Sequence, residues 1–173
     1  MTLEEQLFAR HGGKSVLLDS NLLLVFLSGL LGTHLFQGFK RISNYTVNDY
    51  ELLVRLIASF AVLLTTPHVL TEVSNLANAL REPYKRDWYI NLATLITSDQ
   101  ERFGIREQWV PVTELAGMPE FVAFGIPDAA LTRLSSEALV ITEDYRLSDV
   151  LNGQGTPVLN FRDLRKMQLF AND

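Results

Sequence analysis

Short, continuously apolar runs that end at a polar residue and pass straight into a helix signal constrain this chain most. Val16-Leu17-Leu18 ends at Asp19, residues 61–65 end before Thr66-Pro67, and Leu139-Val140-Ile141 ends at Thr142. Such runs lack the alternation of a half-exposed strand and read as strands buried on both faces. Strands of this kind alternating with helices imply a parallel sheet covered on both sides. The expected fold is α/β: a single domain over residues 1–173, with a mostly parallel central sheet flanked by helices on both faces.

Helix signals fill the intervals. Thr2 and Glu5 form a capping-box pattern that opens a short helix ending near Gly12-Gly13. Ser20 or Asn21 can cap an apolar helix running to Gly29 or Gly32. Thr46 with Asp49 predicts a second cap, followed by Tyr50, Leu53, Val54, Leu56 and Ile57 at helical spacing. Pro67 opens a helix reaching Leu80, and residues 84–97 form another with Trp88, Leu92, Leu95 and Ile96 inward. Residues 103–118 are hard to read, with a short strand predicted at 110–112. Helices are expected at 127–134, 145–151 and 163–170, with strands at 138–142 and 156–160 and a stop at Gly153/Gly155.

Composition narrows the function classes. With 173 residues, no repeat and no linker-like tract, the chain can bury a substantial core as one unit. The absence of cysteine excludes disulfides, thiolate metal sites and a cysteine nucleophile, and fits a cytoplasmic protein. A net charge of −5 argues against a broad electrostatic grip on nucleic acid. It leaves room for an enzyme that acts on nucleic acid through bound divalent ions, which invert the sign of an acidic cleft. The apolar stretch 15–36 is broken by Asp19 and Asn21. Its longest uninterrupted part, residues 22–27, is far short of the ~20 residues a spanning helix needs, so no membrane insertion is expected. The polar residues 2–14 before it and the lack of a small-residue cleavage pattern also speak against a secretory signal.

Four carboxylates carry the chemistry. Asp19 follows the first strand, Glu72 lies in the helix opened by Pro67, Asp128 follows Pro127, and Asp144 follows Thr142. Each has an ordinary alternative as a helix cap or a partner of a helix dipole. Their recurrence where an apolar run ends or just inside the following helix is what carries weight. Asp19, Thr142 and Asp144 fall at or just beyond the carboxyl ends of strands, where ligands of open parallel sheets bind. Several acids at one sheet edge repel unless a cation neutralises them, and Mg²⁺ or Mn²⁺ favours oxygen ligands.

Other motifs fail on context. Gly12-Gly13-Lys14-Ser15 mimics the end of a phosphate-binding loop but precedes a strand, and Phe8 stands where the leading glycine belongs. His11, His34 and His68 have no ligand spacing, and Asn21 replaces the second aspartate of a two-aspartate phosphohydrolase motif. No serine sits in a nucleophile elbow. Glu143, Asp149 and Asp163 read as solvated helix charges, and the scattered Lys40-Arg41, Arg81, Lys85-Arg86, Arg133 and Arg146 as surface cations.

The succession of these pieces resembles PIN domains, the nuclease fold shared by VapC-type toxins and several RNA-processing enzymes. The match runs through residues 16–21, 65–73, 126–131 and 139–147, with Ile126-Pro127-Asp128-Ala129-Ala130 and Val140-Ile141-Thr142-Glu143-Asp144 the closest parts. Residues 155–159 match the family's final strand, and the likeness is thin at 80–119. The resemblance implies endonucleolytic cleavage of RNA with Mg²⁺ or Mn²⁺ held by Asp19, Glu72, Asp128 and Asp144, supported by Asn21 and Thr142. It implies an RNA substrate and, where the enzyme is a toxin, a protein antitoxin. A homodimer is a separate expectation that the resemblance does not supply, and the sequence does not fix the oligomeric state. The competing expectation is a non-catalytic module of the same fold that binds RNA or a protein partner.

Overall fold

The computed structural model describes residues 6, 9–11, 14–98 and 104–171. The N-terminal helix expected from Thr2 falls largely outside them.

Strand β1 (Ser15–Leu18) leads into helix α1 (Ser20–Leu31), then α2 (Leu35–Gly38) and α3 (Val47–Ala58). Strand β2 (Val62–Thr65) is followed by α4 (Pro67–Ala77) and α5 (Tyr84–Thr97), and β3 (Ile105–Glu107) by the short α6 (Val112–Leu115) and α7 (Pro119–Phe124). The C-terminal part comprises α8 (Ile126–Leu134), β4 (Ala138–Thr142), α9 (Tyr145–Gly153), β5 (Val158–Asn160) and α10 (Phe161–Ala171). Among the described residues, five strands pair in parallel in the order β3-β2-β1-β4-β5.

Both faces of the sheet are covered. Val16, Leu17 and Leu18 are all buried, as is every residue of β4. Successive strand residues point to opposite faces, so burial without alternation requires helices on each side. Helix α1 is buried from Leu22 to Ser28, which accounts for the apolar stretch at 15–36 as a strand and a central helix. No helix among the described residues is long and apolar enough to cross a membrane.

The strand order sets the site's position. From β1 the chain builds β2 and β3 on one side, then crosses to build β4 and β5 on the other. The order reverses between β1 and β4, which is where open α/β sheets leave a crevice at their carboxyl ends. Leu18 registers with Ile141, so Asp19 and Thr142 leave the sheet side by side.

Local expectations hold in most places. Thr46 and Asp49 form the full capping box of α3, and Pro67 occupies the first turn of α4 behind the Thr66 cap. Three expectations are corrected. Asp19 itself caps α1, not Ser20 or Asn21. The third strand is Ile105–Glu107, whereas Val110 lies in a loop and Val112 opens α6. Ile96 is exposed, and Trp88 and Leu92 are the buried residues of α5.

Candidate metal centre at the carboxyl edge

Asp19 is the most constrained of the four acids. Its residue is 7% exposed, and both carboxylate oxygens are engaged. Oδ1 accepts the Leu22 amide at 2.8 Å, which caps α1. Oδ2 accepts the Thr142 hydroxyl at 2.6 Å and the Glu143 amide at 2.8 Å. Burial raises its pKa, the three hydrogen bonds oppose that shift, and the Glu143 charge adds to it.

Thr142 links two acids. It is fully buried at the end of β4, donates to Asp19 and accepts the Asp144 amide at 3.0 Å. Asp144 is exposed and caps α9, its Oδ1 accepting the amides of Arg146 at 2.7 Å and Leu147 at 3.3 Å. The ordinary cap role is therefore realised at both Asp19 and Asp144. At each, the cap also fixes the carboxylate at the sheet edge.

Glu72 lies in the second turn of α4 and accepts the Ser20 hydroxyl. Asp128 occupies the first turn of α8. The turn before it is made by Gly125 at φ 91°, a left-handed conformation that a side chain would strain. The Asp128 carboxyl is pushed up to about 7, first by burial and then by the charges of Asp19, Glu72 and Asp144. The fold thus brings Asp19, Glu72 and Asp144 within electrostatic reach of Asp128.

Asn21 stands apart from this group, accepting Arg41 Nε at 2.8 Å. Two residues emerge that the sequence reading left aside. Ser20 holds Glu72, a role whose only trace in the sequence is its place directly after Asp19. Glu143, expected to be solvated, is 6% exposed and pairs with Arg165 at 3.2 Å, while its amide holds Asp19. Nothing local to Glu143 could announce a partner 22 residues away.

The donor set is all oxygen, which suits Mg²⁺ or Mn²⁺. Every influence on Asp128 raises its pKa, the condition a cation relieves. Among the described residues, no three acidic or imidazole side chains already converge on one ion position. Asp19, Glu72 and Asp144 instead place oxygens on nearby hydroxyl and amide donors. The residues fit a cation by the chemistry of their oxygen donors. Comparison with family models, with curated proteins and with solved structures gave no match.

Proposed function

We propose that this chain is a metal-dependent endoribonuclease of the PIN type. The observation that carries the proposal is the elevation of Asp128 to about 7, by burial first and then by the charges of Asp19, Glu72 and Asp144 gathered around it. Ionising Asp128 beside Asp19, Glu72 and Asp144 costs stability through repulsion, a cost that a cation seated among them would offset. Asp19, Glu72, Asp128 and Asp144 would hold Mg²⁺ or Mn²⁺. Bound there, the ion would supply an acidified water and neutralise charge at the leaving oxygen of a phosphodiester.

The chain's own groups do the positioning. Thr142 and the Glu143 amide fix one oxygen of Asp19, and the Leu22 amide fixes the other. Ser20 orients Glu72, and Asp128 is the group whose proton must leave before the full set can bind a cation. The proposal extends to a cytoplasmic enzyme, restrained by a protein antitoxin where it serves as a toxin.

The test is a melting curve with and without Mn²⁺, followed by a cleavage time course on single-stranded RNA. Saturating Mn²⁺ at about a hundred times its dissociation constant should stabilise the fold by roughly 2.7 kcal/mol. For a chain of this size that is a rise of about 5–10 °C. Asp128→Asn should lose most of the rise and cut RNA about 10³-fold more slowly. Asp19→Asn is a poorer probe, since either orientation of the new amide sets its NH₂ against a backbone amide that the carboxylate accepts. No metal-induced rise in the parent would instead favour the non-catalytic module.

A further inference from the structure

The two tryptophans of the chain are placed in opposite ways. Trp88 is 1% exposed in the core, whereas Trp109 is 68% exposed just beyond the carboxyl end of β3. A large ring left in water on a loose loop would be unremarkable, but the backbone on either side of Trp109 is tied down. The Gln108 amide donates to the Thr65 carbonyl at 2.9 Å, continuing the ladder of β2 past the end of β3. On the other side, His68 Nε2 donates to the Val110 carbonyl at 2.8 Å. The His68 ring also stands against the indole, with centroids 6.2 Å apart and planes 41° from parallel.

His68 connects this ring to the acids. It lies four residues before Glu72 on α4, so the two side chains share one face of the helix a single turn apart. Side chains so spaced have Cβ atoms about 5–6 Å apart. The exposed indole is thus held on the same sheet edge as the acidic site, reached from Glu72 through His68.

We propose that Trp109, backed by His68, is a stacking platform for an unpaired base of single-stranded RNA lying across the acidic site. This names a substrate contact for the nuclease reading and rests on that reading for the identity of the strand. Unpaired bases are recognised by stacking on aromatic side chains, a contact available from any base and from no duplex interior. An acidic chain of net charge −5 has little long-range attraction for phosphates, so an uncharged stacking contact is one means of gripping a strand that its charge does not oppose. The hydrogen bonds on both sides of Trp109 mean that little backbone freedom is lost when a base arrives.

The experiment titrates the full chain with a single-stranded RNA octamer, and separately with a blunt RNA duplex, following tryptophan fluorescence. It is run in chelator, where metal-dependent cleavage is absent, and again with Ca²⁺ in place of Mg²⁺. A base stacked on Trp109 should quench its emission while buried Trp88 is unaffected, and the duplex should not quench. Trp109→Ala should weaken single-strand binding by roughly 5- to 100-fold. Trp109→Phe should keep affinity within a few-fold and lose the quench. Circular dichroism and melting of both variants should match the parent, since the ring is exposed. The salt dependence should be shallow. Absence of quenching in both conditions, or equal affinity of Trp109→Ala and the parent, overturns the proposal, and the indole is then better read as a contact for a protein. Cleavage with no effect of Trp109 would sink this inference alone. Quenching without metal-dependent cleavage would keep it and reject the nuclease.

Discussion

A carboxyl group half-buried among three other acids holds its proton, so Asp128 ties the stability of the metal-free protein to pH. Its pKa rises from 3.8 to about 7, by burial first and then by Asp19, Glu72 and Asp144. The folded chain therefore binds this proton up to higher pH than the unfolded chain does. The resulting stabilisation is fully present below about pH 4 and is lost as pH rises through 7. Its size is a few kcal/mol at most, at ~1.36 kcal/mol per pKa unit. Asp19 is also raised by burial and adds the same sign. The melting temperature of chelated protein should fall between about pH 5 and pH 8, and Asp128→Asn should flatten that fall without abolishing it. Saturating Mn²⁺ should reverse the trend, because a cation favours the ionised acids. An Asp128→Asn profile as steep as the parent's would show that the charge frustration lies elsewhere.

Helices and strands with strong local signals were legible in the sequence, and those placed by distant contacts were not. Thr46 with Asp49, Thr66 with Pro67, and the continuous apolar run at β4 each carry their own instruction, and each element forms where it points. Strand β3 has three residues, of which only Ile105 is buried, so it exists by pairing with β2 and leaves no period to read. The acids of the site were legible as strand-end and helix-start residues; the hydroxyl of Ser20 on Glu72 joins elements 52 positions apart and was not. Packing between α1 and α3 is equally hidden. A Cβ at Gly29 would overlap the edge of the Tyr50 ring, which must shift to admit a side chain, and α1 carries a glycine there although glycine weakens a helix. Gly29→Ala should gain about 1 kcal/mol of helix propensity and still lose net stability, since overpacking costs roughly 1–3 kcal/mol. Tyr50→Ala in the same chain should turn that loss into a gain, measurable by urea unfolding as a double-mutant cycle. A destabilisation unchanged by Tyr50→Ala would mean that the ring is not what Gly29 makes room for.

One side chain, Arg165, ties the final helix to the acidic edge of the sheet. Arg165 on α10 meets Asp49 through Nε at 2.8 Å and Nη2 at 3.0 Å, Glu143 at 3.2 Å and the Asn44 carbonyl at 3.0 Å. Its guanidinium also lies over the Tyr45 ring at 4.9 Å. Asp49 is the third-position partner of Thr46 in the α3 capping box, and Glu143 is the residue whose amide holds Asp19. The final helix, the α3 cap and the acidic site are therefore joined through a single side chain. Both acids are buried, so removing the arginine strands two charges away from water. Breaking a buried pair costs about 3–5 kcal/mol, and partial exposure of Arg165 places this one near 3. Arg165→Ala should lower the melting temperature by about 6–12 °C. Arg165→Lys keeps the charge without the fork and should fall between, and adding Glu143→Gln to Arg165→Ala should recover part of the loss. The link to Asp19 makes a second demand. Arg165→Ala should shrink the Mn²⁺-induced rise in melting temperature, whereas Gly29→Ala should lower stability and leave that rise intact. Equal metal responses in the two variants would mean that Arg165 only fastens α10 and does not reach the site through Glu143.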